Sequence, residues 1–403
     1  MANVLPISIT RPLRNKVCIF PEKEVCNLTS SDINAVLRRN PYSYYNLFYK
    51  PYIKRLDGDK KYNAIKRQYQ KFKRKNIIEN DENAGYYIYN IIDNNGQEFT
   101  GIVGKIPFAD IKIGHVQQIE KSPVKLVNTQ YELFERTGFI SKPVNVVYDE
   151  IPTINSIIEK YKSRIPLFEF TKPNGCIHEV WQVLDNDDIE AIQKNFKKFT
   201  MPMLLLDNKS EFDGLHQLYL EKIKEKHHSG DEAYNYFPAF LIAKNQTNVF
   251  EYKKGIPYES KIKIEDLINA LKNDFNIEEI EAAEEVEQGT ILLYGINNKY
   301  KLTLKKQVDN HLPDSLIFDK YVIPHLIKFD NTCLPDSMKF CSGNRSLKCV
   351  ENQLNKKNCK FGFILAPASY EQLEYIAKNN FKMPANSTYL EPRLLKGLFI
   401  YEF

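Results

Sequence analysis

Apolar and polar positions come in blocks whose period changes along the chain. Gly85-Tyr86-Tyr87-Ile88-Tyr89-Asn90-Ile91-Ile92 is rich in aromatic and β-branched residues, and Asp93-Asn94-Asn95-Gly96 separates it from Glu98-Phe99-Thr100-Gly101-Ile102-Val103-Gly104. Two such runs around an Asn/Gly turn predict a β-hairpin. Thr290 to Tyr294 and Lys299 to Leu302, joined across Asn297-Asn298, predict a second. Met203-Leu204-Leu205-Leu206 reads as a short buried strand ending at Asp207, Phe361 to Leu365 as another, and Gly397 to Tyr401 as the last. Helical spacing appears at 30–40, behind the capping pattern Ser30-Ser31-Asp32, and at 151–162, 186–199, about 212–225 and 369–379. Residues 58–80 predict a basic helix with Tyr62, Tyr69 and Phe72 as its buried stripe and the lysines on a solvated face. Strands and helices mix irregularly, so the expected class is α+β, with mixed sheets and flanking helices.

Composition narrows this picture. The 403 residues are 43% hydrophobic and 12% aromatic, enough for a sizeable core and too apolar for a disordered chain. With 56 Lys and Arg against 51 Asp and Glu, the formal charge of +5 lacks the imbalance of a dedicated nucleic-acid binder, and no helix-turn-helix is evident. No stretch approaches the length of a membrane span, and the chain opens with no long apolar run. The seven cysteines, at 18, 26, 176, 333, 341, 349 and 359, are odd in number and contain no C-x-x-C. That pattern argues against structural zinc and for free thiols in a reducing, cytoplasmic setting.

One stretch is distinctive. Met383-Pro384-Ala385-Asn386-Ser387-Thr388-Tyr389-Leu390-Glu391-Pro392-Arg393-Leu394-Leu395-Lys396-Gly397-Leu398 resembles the closing signature M-P-P-K-[ST]-T-x-[FY]-x-P-K-L-x-[ST]-G-L of the family called domain of unknown function 1015. Arg393 replaces a lysine of the pattern, and Ala385 and Asn386 depart from it. His178-Glu179-Val180-Trp181 with Leu184-Asp185 is similar to the family's H-x-[LF]-W-x-[IL]-x-D segment, and 230–237 to its G-D-E-x-Y-N-[YF]-F segment. Ile111-Lys112-Ile113-Gly114-His115 stands where the family has I-K-[KR]-H-E-x-T, and 7–21 would be the first strand. The family resembles ParB-like free serine kinases. The resemblance implies phosphoryl transfer from inorganic pyrophosphate to the hydroxyl of L-serine, giving O-phosphoserine and orthophosphate, with Mg²⁺ as the ion. It also implies small-molecule partners, with neither nucleic acid nor membrane, and leaves the oligomeric state open.

Such chemistry needs cations against the donor, a group for the hydroxyl proton, and in-line placement. The family's central motif, A-D-G-H-H-R, lies at a strand-to-helix junction, and two registers compete for it here. Without a gap, Asp207-Asn208-Lys209-Ser210-Glu211 takes its place, with Asp207 and Lys209 as phosphate-site residues. With a short insertion, Phe212-Asp213-Gly214-Leu215-His216-Gln217 aligns and opens the helix, and this register is preferred. It implies Asp213 as the carboxylate for Mg²⁺ or the serine proton, Gly214 as the point of close backbone approach, and His216 as a phosphate donor. Gln217 lacks the bidentate charge of the arginine it replaces, and the same residues also read as an ordinary helix start capped by Asp213.

Elsewhere the resemblance implies His115 as a catalytic histidine. Val116 stands where the adjoining glutamate should be, so Glu120 would have to reach in. It also implies Ser387, Thr388 and Arg393 as ligands for phosphate or the amino acid, with Glu22 or Glu24 as the nearest substitutes for an early Asp, while Arg345, in the Gly-containing turn Ser342-Gly343-Asn344-Arg345, is a further candidate for holding pyrophosphate. His227-His228 lacks a third ligand nearby, and Trp181 reads as core. The expected organisation is a catalytic part at 1–245 and a second α+β part at 246–403 that supplies Met383 to Leu398 to the same site. The lost motif positions keep a second reading alive, a catalytically degenerate relative acting as a binding or regulatory subunit.

Overall fold

The aromatic run at Tyr86–Ile92 (β1) and the strand Glu98–Pro107 (β2) form the expected hairpin, in register from Tyr87 opposite Val103 to Ile92 opposite Glu98. These strands sit near the middle of an eight-stranded sheet in a computed structural model that describes residues 2–24, 28–225, 228–250, 253–281, 286–330, 338–341 and 348–403. The other members are β3 (Val116–Gln118), β4 (Val144–Tyr148), β5 (Phe168–Thr171), β6 (Ile177–Val183), β7 (Met203–Leu205) and β8 (Tyr236–Ala243). Their order is β3-β7-β4-β8-β2-β1-β6-β5, with β8 parallel to β4 and antiparallel to β2. All five residues of β4 are buried, as are seven of the eight in β8. Strands covered on both faces read as continuous apolar runs, not as an alternation.

The helices follow from capping and periodicity. Helix α1 (Ser30–Arg39) is opened by Thr29, whose hydroxyl accepts from the Asp32 N–H while the Asp32 carboxylate accepts from the Thr29 N–H. Helix α2 (Gly58–Arg74) buries Ala64, Ile65, Gln68, Tyr69 and Phe72. It stops short of the expected end at 80. Asn76 turns into the left-handed region (φ 49°), and Ile78–Asn80 leaves as a strand paired with Thr10–Pro12. Only this short piece of the opening 7–21 segment is regular strand. Helix α3 (Val124–Thr137), which the periodicity did not reveal, packs on α4 (Lys209–Lys222). At the chain's end, the strand expected over 397–401 is reduced to Tyr401–Glu402, paired with Phe139–Ile140.

The chain divides into two compact units. The first comprises 1–117, 124–247 and 392–403; the second comprises 118–123 and 248–391. A single cut at 245 therefore misses two exchanges. Residues 118–123 join the second unit because the Ile119 carbonyl and Lys121 N–H bond the Met383 backbone. Residues 392–403 join the first because Ile400 exchanges backbone bonds with Thr10 and Lys396 with Glu22. The second unit is built on an antiparallel sheet of β9 (Lys253–Pro257), β10 (Phe275–Ile280), β11 (Thr290–Tyr294), β12 (Lys299–Leu304), β13 (Lys339–Cys341) and β14 (Cys359–Leu365), ordered β10-β12-β11-β14-β9-β13. Its core gathers Leu267, Leu271, Leu293, Phe318, Leu326 and Phe363. The class is thus mixed α+β, and no helix among the described residues is long and apolar enough to cross a membrane.

Helix α4 begins at Lys209, three residues before the expected start, so Gly214 lies inside it and not at its opening. A Cβ placed on Gly214 would stand 2.7 Å from Gln130 Cβ and 2.9 Å from the Tyr131 backbone nitrogen of α3. The glycine is there for close helix packing. Gly214→Ala should therefore destabilise the protein by about 1–3 kcal/mol through overpacking, although alanine favours an isolated helix by about 1 kcal/mol. An unchanged or raised urea midpoint would contradict this account.

Candidate active site

Four separated segments of the first unit meet at one partly buried cluster of charges, with Lys142 and Asp207 at its depth. The segment at 20–24 is fixed by a two-way backbone bridge between Glu22 and Lys396 (2.8 and 3.0 Å) and by Tyr44 N–H donating to Phe20 O at 2.8 Å. Ser141-Lys142-Pro143 leads into β4, and its Ser141 carbonyl accepts from Gly397 N–H at 2.8 Å. Gly397 has a φ of +87° with the Phe20 and Tyr44 rings against it, so glycine is required by both backbone and space. The third segment leaves β7 through Leu206 and Asp207, then reverses into α4 at Asn208, which takes the left-handed conformation (φ 56°). The Asn208 side chain donates to Pro143 O at 3.0 Å, and Asn145 donates to Pro392 O at 3.3 Å, tying in the fourth segment.

Lys142 is the centre of the cluster. Its side chain is 2% exposed, and its Nζ lies 2.7 Å from Glu24 Oε1 and 3.4 Å from Asp207 Oδ2. Arg393 Nη1 donates to Asp207 Oδ1 and stands 3.4 Å from Glu24 Oε2. Lys396 Nζ lies 3.9 Å from Glu24 Oε1 and 3.5 Å from Glu211 Oε1. Burial alone would raise the Asp207 carboxyl, but Arg393 and Lys142, with the Asn208 N–H, hold it far below the usual carboxylate range. Glu24 follows the same logic: burial pushes up, while Lys142 and Lys396 prevail and lower it. Lys396 is raised, because Glu211 and Glu24 outweigh its desolvation. Glu24 and Asp207 are thus held ionised, and Lys396 protonated, by neighbours of opposite charge.

At one flank Glu22 behaves differently. Desolvation raises its pKa despite Lys172 Nζ at 4.0 Å and the Ser43 hydroxyl donating at 2.6 Å. Lys172 is itself lowered by burial, and its ammonium donates to the Pro21 carbonyl at 2.7 Å and the Cys18 carbonyl at 3.2 Å.

The structure gathers part of the expected site into this cluster. Asp207 and Arg393 are in the cluster, and Lys209 follows as the first residue of α4, so the strand-to-helix junction carries the ungapped register. Asp213 lies within the helix and therefore cannot be its cap. His216 stacks on Phe108 (5.2 Å between centroids) and on Tyr219 and Phe212, and burial lowers its pKa against the pull of Asp213. His115 has its Nδ1 4.0 Å from Asp110 Oδ1. Glu120, Ser387 and Thr388 belong to the second unit. There Glu120 Oε2 accepts from the Thr388 N–H at 3.0 Å and hydroxyl at 2.8 Å, while Ser387 donates to Pro384 O at 2.7 Å. The Met383–Leu398 signature is thus divided between the units after Glu391. Arg345 and His227 lie outside the described residues.

Sequence reasoning missed Lys142, Lys396 and Glu211, and raised Glu24 only as a substitute. Lys396 had a signal, since it occupies the Ser/Thr position of the closing signature. Among the described residues no three His, Cys, Asp or Glu side chains converge as a metal cage. A magnesium ion shared with phosphates needs only one or two carboxylates, and Glu24 and Asp207 are the pair this cluster offers.

Lys142→Met would leave two buried carboxylates short of their shared cation, at a cost of about 3–5 kcal/mol at neutral pH. Because the folded pKa values of Glu24 and Asp207 are depressed, the stability they contribute is present above the ordinary carboxylate range and is lost as pH falls through the folded values. The gap between variant and parent in urea unfolding should accordingly hold from pH 7 down to the ordinary carboxylate range and narrow only below about pH 4. A pH-independent gap would show that lost packing, and not charge, sets the effect.

No curated protein matches the chain. Among solved structures, a conserved hypothetical protein from Pyrococcus furiosus is similar over 72% of this chain and 91% of its own (12% identity, TM-score 0.39). A C-terminally truncated SbnI from Staphylococcus aureus covers 73% and 85% (10%, 0.39). A free serine kinase in complex with AMP covers 72% and 88% (12%, 0.40). The family model described as protein of unknown function DUF1015 matches residues 27–326, well over half of the sequence, and the chain belongs to that family.

Proposed function

We propose that this protein is a phosphotransferase that moves a phosphoryl group onto the hydroxyl of free L-serine, with inorganic pyrophosphate as donor. The observation that carries the reading is the buried cluster in which Lys142, Arg393 and Lys396 alternate with Glu24, Asp207 and Glu211. A free amino acid carries an ammonium and a carboxylate, and alternating fixed charges suit a zwitterion better than a uniformly cationic groove would. The family's motif pattern supports the same reaction.

In the proposed step the serine oxygen attacks the near phosphorus and the bridging P–O bond breaks. Orthophosphate leaves, and the hydroxyl proton passes to a carboxylate, for which Glu24 is our choice. A carboxyl of lowered pKa is a weak base, but phosphoryl transfer through a loose transition state asks more for orientation than for basicity. Lys142, Arg393 and Lys396 would offset charge on the donor oxygens. Mg²⁺ would arrive with pyrophosphate and supply further neutralisation, held by Glu24 or Asp207.

One observation favours a second reading. Each cation of the cluster already faces a carboxylate, as expected of a purely structural network in a degenerate family member.

The deciding assay incubates the protein with L-serine, Mg²⁺ and either pyrophosphate or ATP, and measures O-phosphoserine. Product with pyrophosphate alone is expected; product only with ATP would keep the reaction and replace the donor. Glu24→Gln should reduce turnover by about 10²-fold or more, the usual size of an acid–base contribution. Asp213→Ala is the comparison for the other register, and an equal loss there would move the site into α4. No product from folded protein with either donor would favour the degenerate relative.

A further inference from the structure

The helical part of the first unit holds a concavity that shares no residue with the charged cluster. It has a volume of about 520 Å³ and lies between α1 and the segment at 46–52. Arg38 and Lys50 supply its charges, Asn34 an amide, Leu37 and Pro51 an apolar surface, and Tyr52 an aromatic ring that is 51% exposed. Asn46, 3% exposed, fixes one wall by donating to Asn40 O at 2.9 Å and Ser43 O at 3.2 Å.

The electrostatics of this region differ from those of the cluster. Residues 28–80 contain 13 Lys and Arg against four Asp and Glu, although the whole chain carries only +5. Lys50 is half-buried, and its pKa is lowered by desolvation and by the positive charges of Lys71 on α2 and Lys75 just beyond its end. Cations brought together against their mutual repulsion produce a positive field over a concave surface, which attracts anions. An exposed tyrosine ring beside them offers a planar face for stacking.

We propose that this concavity binds a mononucleotide, with the base on Tyr52 and the phosphates between Arg38 and Lys50. The volume lies within the roughly 300–1,000 Å³ typical of small-ligand sites. Extended single-stranded nucleic acid is the less fitting occupant, because it needs successive aromatic platforms, and among the described residues Tyr52 is the one aromatic lining this concavity. The inference stands apart from the serine kinase reading, since a pyrophosphate-dependent enzyme has no need of a nucleotide in its reaction. A nucleotide bound here would report on the cell's energy state.

The test is isothermal titration of the full chain with ADP, with pyrophosphate, and with a twelve-residue oligoadenylate. Single-site binding of ADP is expected, weakened about tenfold by Lys50→Gln and about tenfold by Tyr52→Ala, the size of one lost ion contact or one lost stacking contact. Pyrophosphate, having no ring, should be indifferent to Tyr52→Ala. Both positions are at the surface, and matching thermal melts establish that the variants fold. Three results would overturn the proposal: no saturable ADP binding, ADP binding untouched by both variants, or oligoadenylate binding more tightly than ADP and displacing it. The second would place the nucleotide at another site, and the third would make the region a nucleic-acid surface.

Discussion

The charged cluster depends on burying one ammonium. Lys142 sits beneath the surface between Glu24 and Asp207, where with Arg393 and Lys396 it offsets the burial that would otherwise raise both carboxyls. Moving a charge out of water costs several kcal/mol even after relaxation, so the lysine and its partners must be placed together or not at all. That requirement explains the backbone around them. The bridge between Glu22 and Lys396, the bond from Gly397 to Ser141, the left-handed turn at Asn208 and the amide of Asn145 on Pro392 all fix where charged side chains begin. The last residues of the chain return to the first unit because they carry Arg393 and Lys396 into this network.

The second unit shows the same economy on a smaller scale. Glu120 accepts from both donors of Thr388, and this, with the backbone bonds of Met383, holds the crossing segment at 118–123. Ser387 and Thr388, which resembled phosphate ligands in the sequence, here bond the Pro384 carbonyl and the Glu120 carboxylate. In the same unit Lys254 is pushed down to about 8 by burial, with Asp319 and Glu120 opposing the shift. Buried charge in both units is handled by pairing across distant sequence.

What the sequence disclosed followed the strength of local signals. The 85–107 hairpin was legible because β-branched and aromatic runs flank an Asn-Asn-Gly turn, and the helix at Tyr370–Lys378 because Ser369 and Gln372 form a capping box. The start of α4 was not. Its first turn is Lys209-Ser210-Glu211, the apolar period begins only at Phe212, and the Asn208 side chain at the N-cap makes no capping bond. That shift of three residues moved attention from Asp207 to Asp213. Lys142 left no local trace at all. Between Ile140 and Val144 it reads as one of 56 basic residues, and only the pairing of β4 with β7 brings it to Asp207.

A self-neutralised cluster also constrains how a ligand could enter. An anion alone would have to compete with Glu24 and Asp207 for the same cations, leaving a carboxylate stranded at low dielectric. A cation alone would strand Lys142 or Arg393. A ligand bearing both signs exchanges partners without leaving a charge uncompensated, so the cost of stranding a charge becomes a filter for what can replace the internal pairs. On the serine kinase reading this is why the acceptor must be a whole amino acid. A bare alcohol would present the same hydroxyl but could not take over the ion pairs that its arrival disturbs.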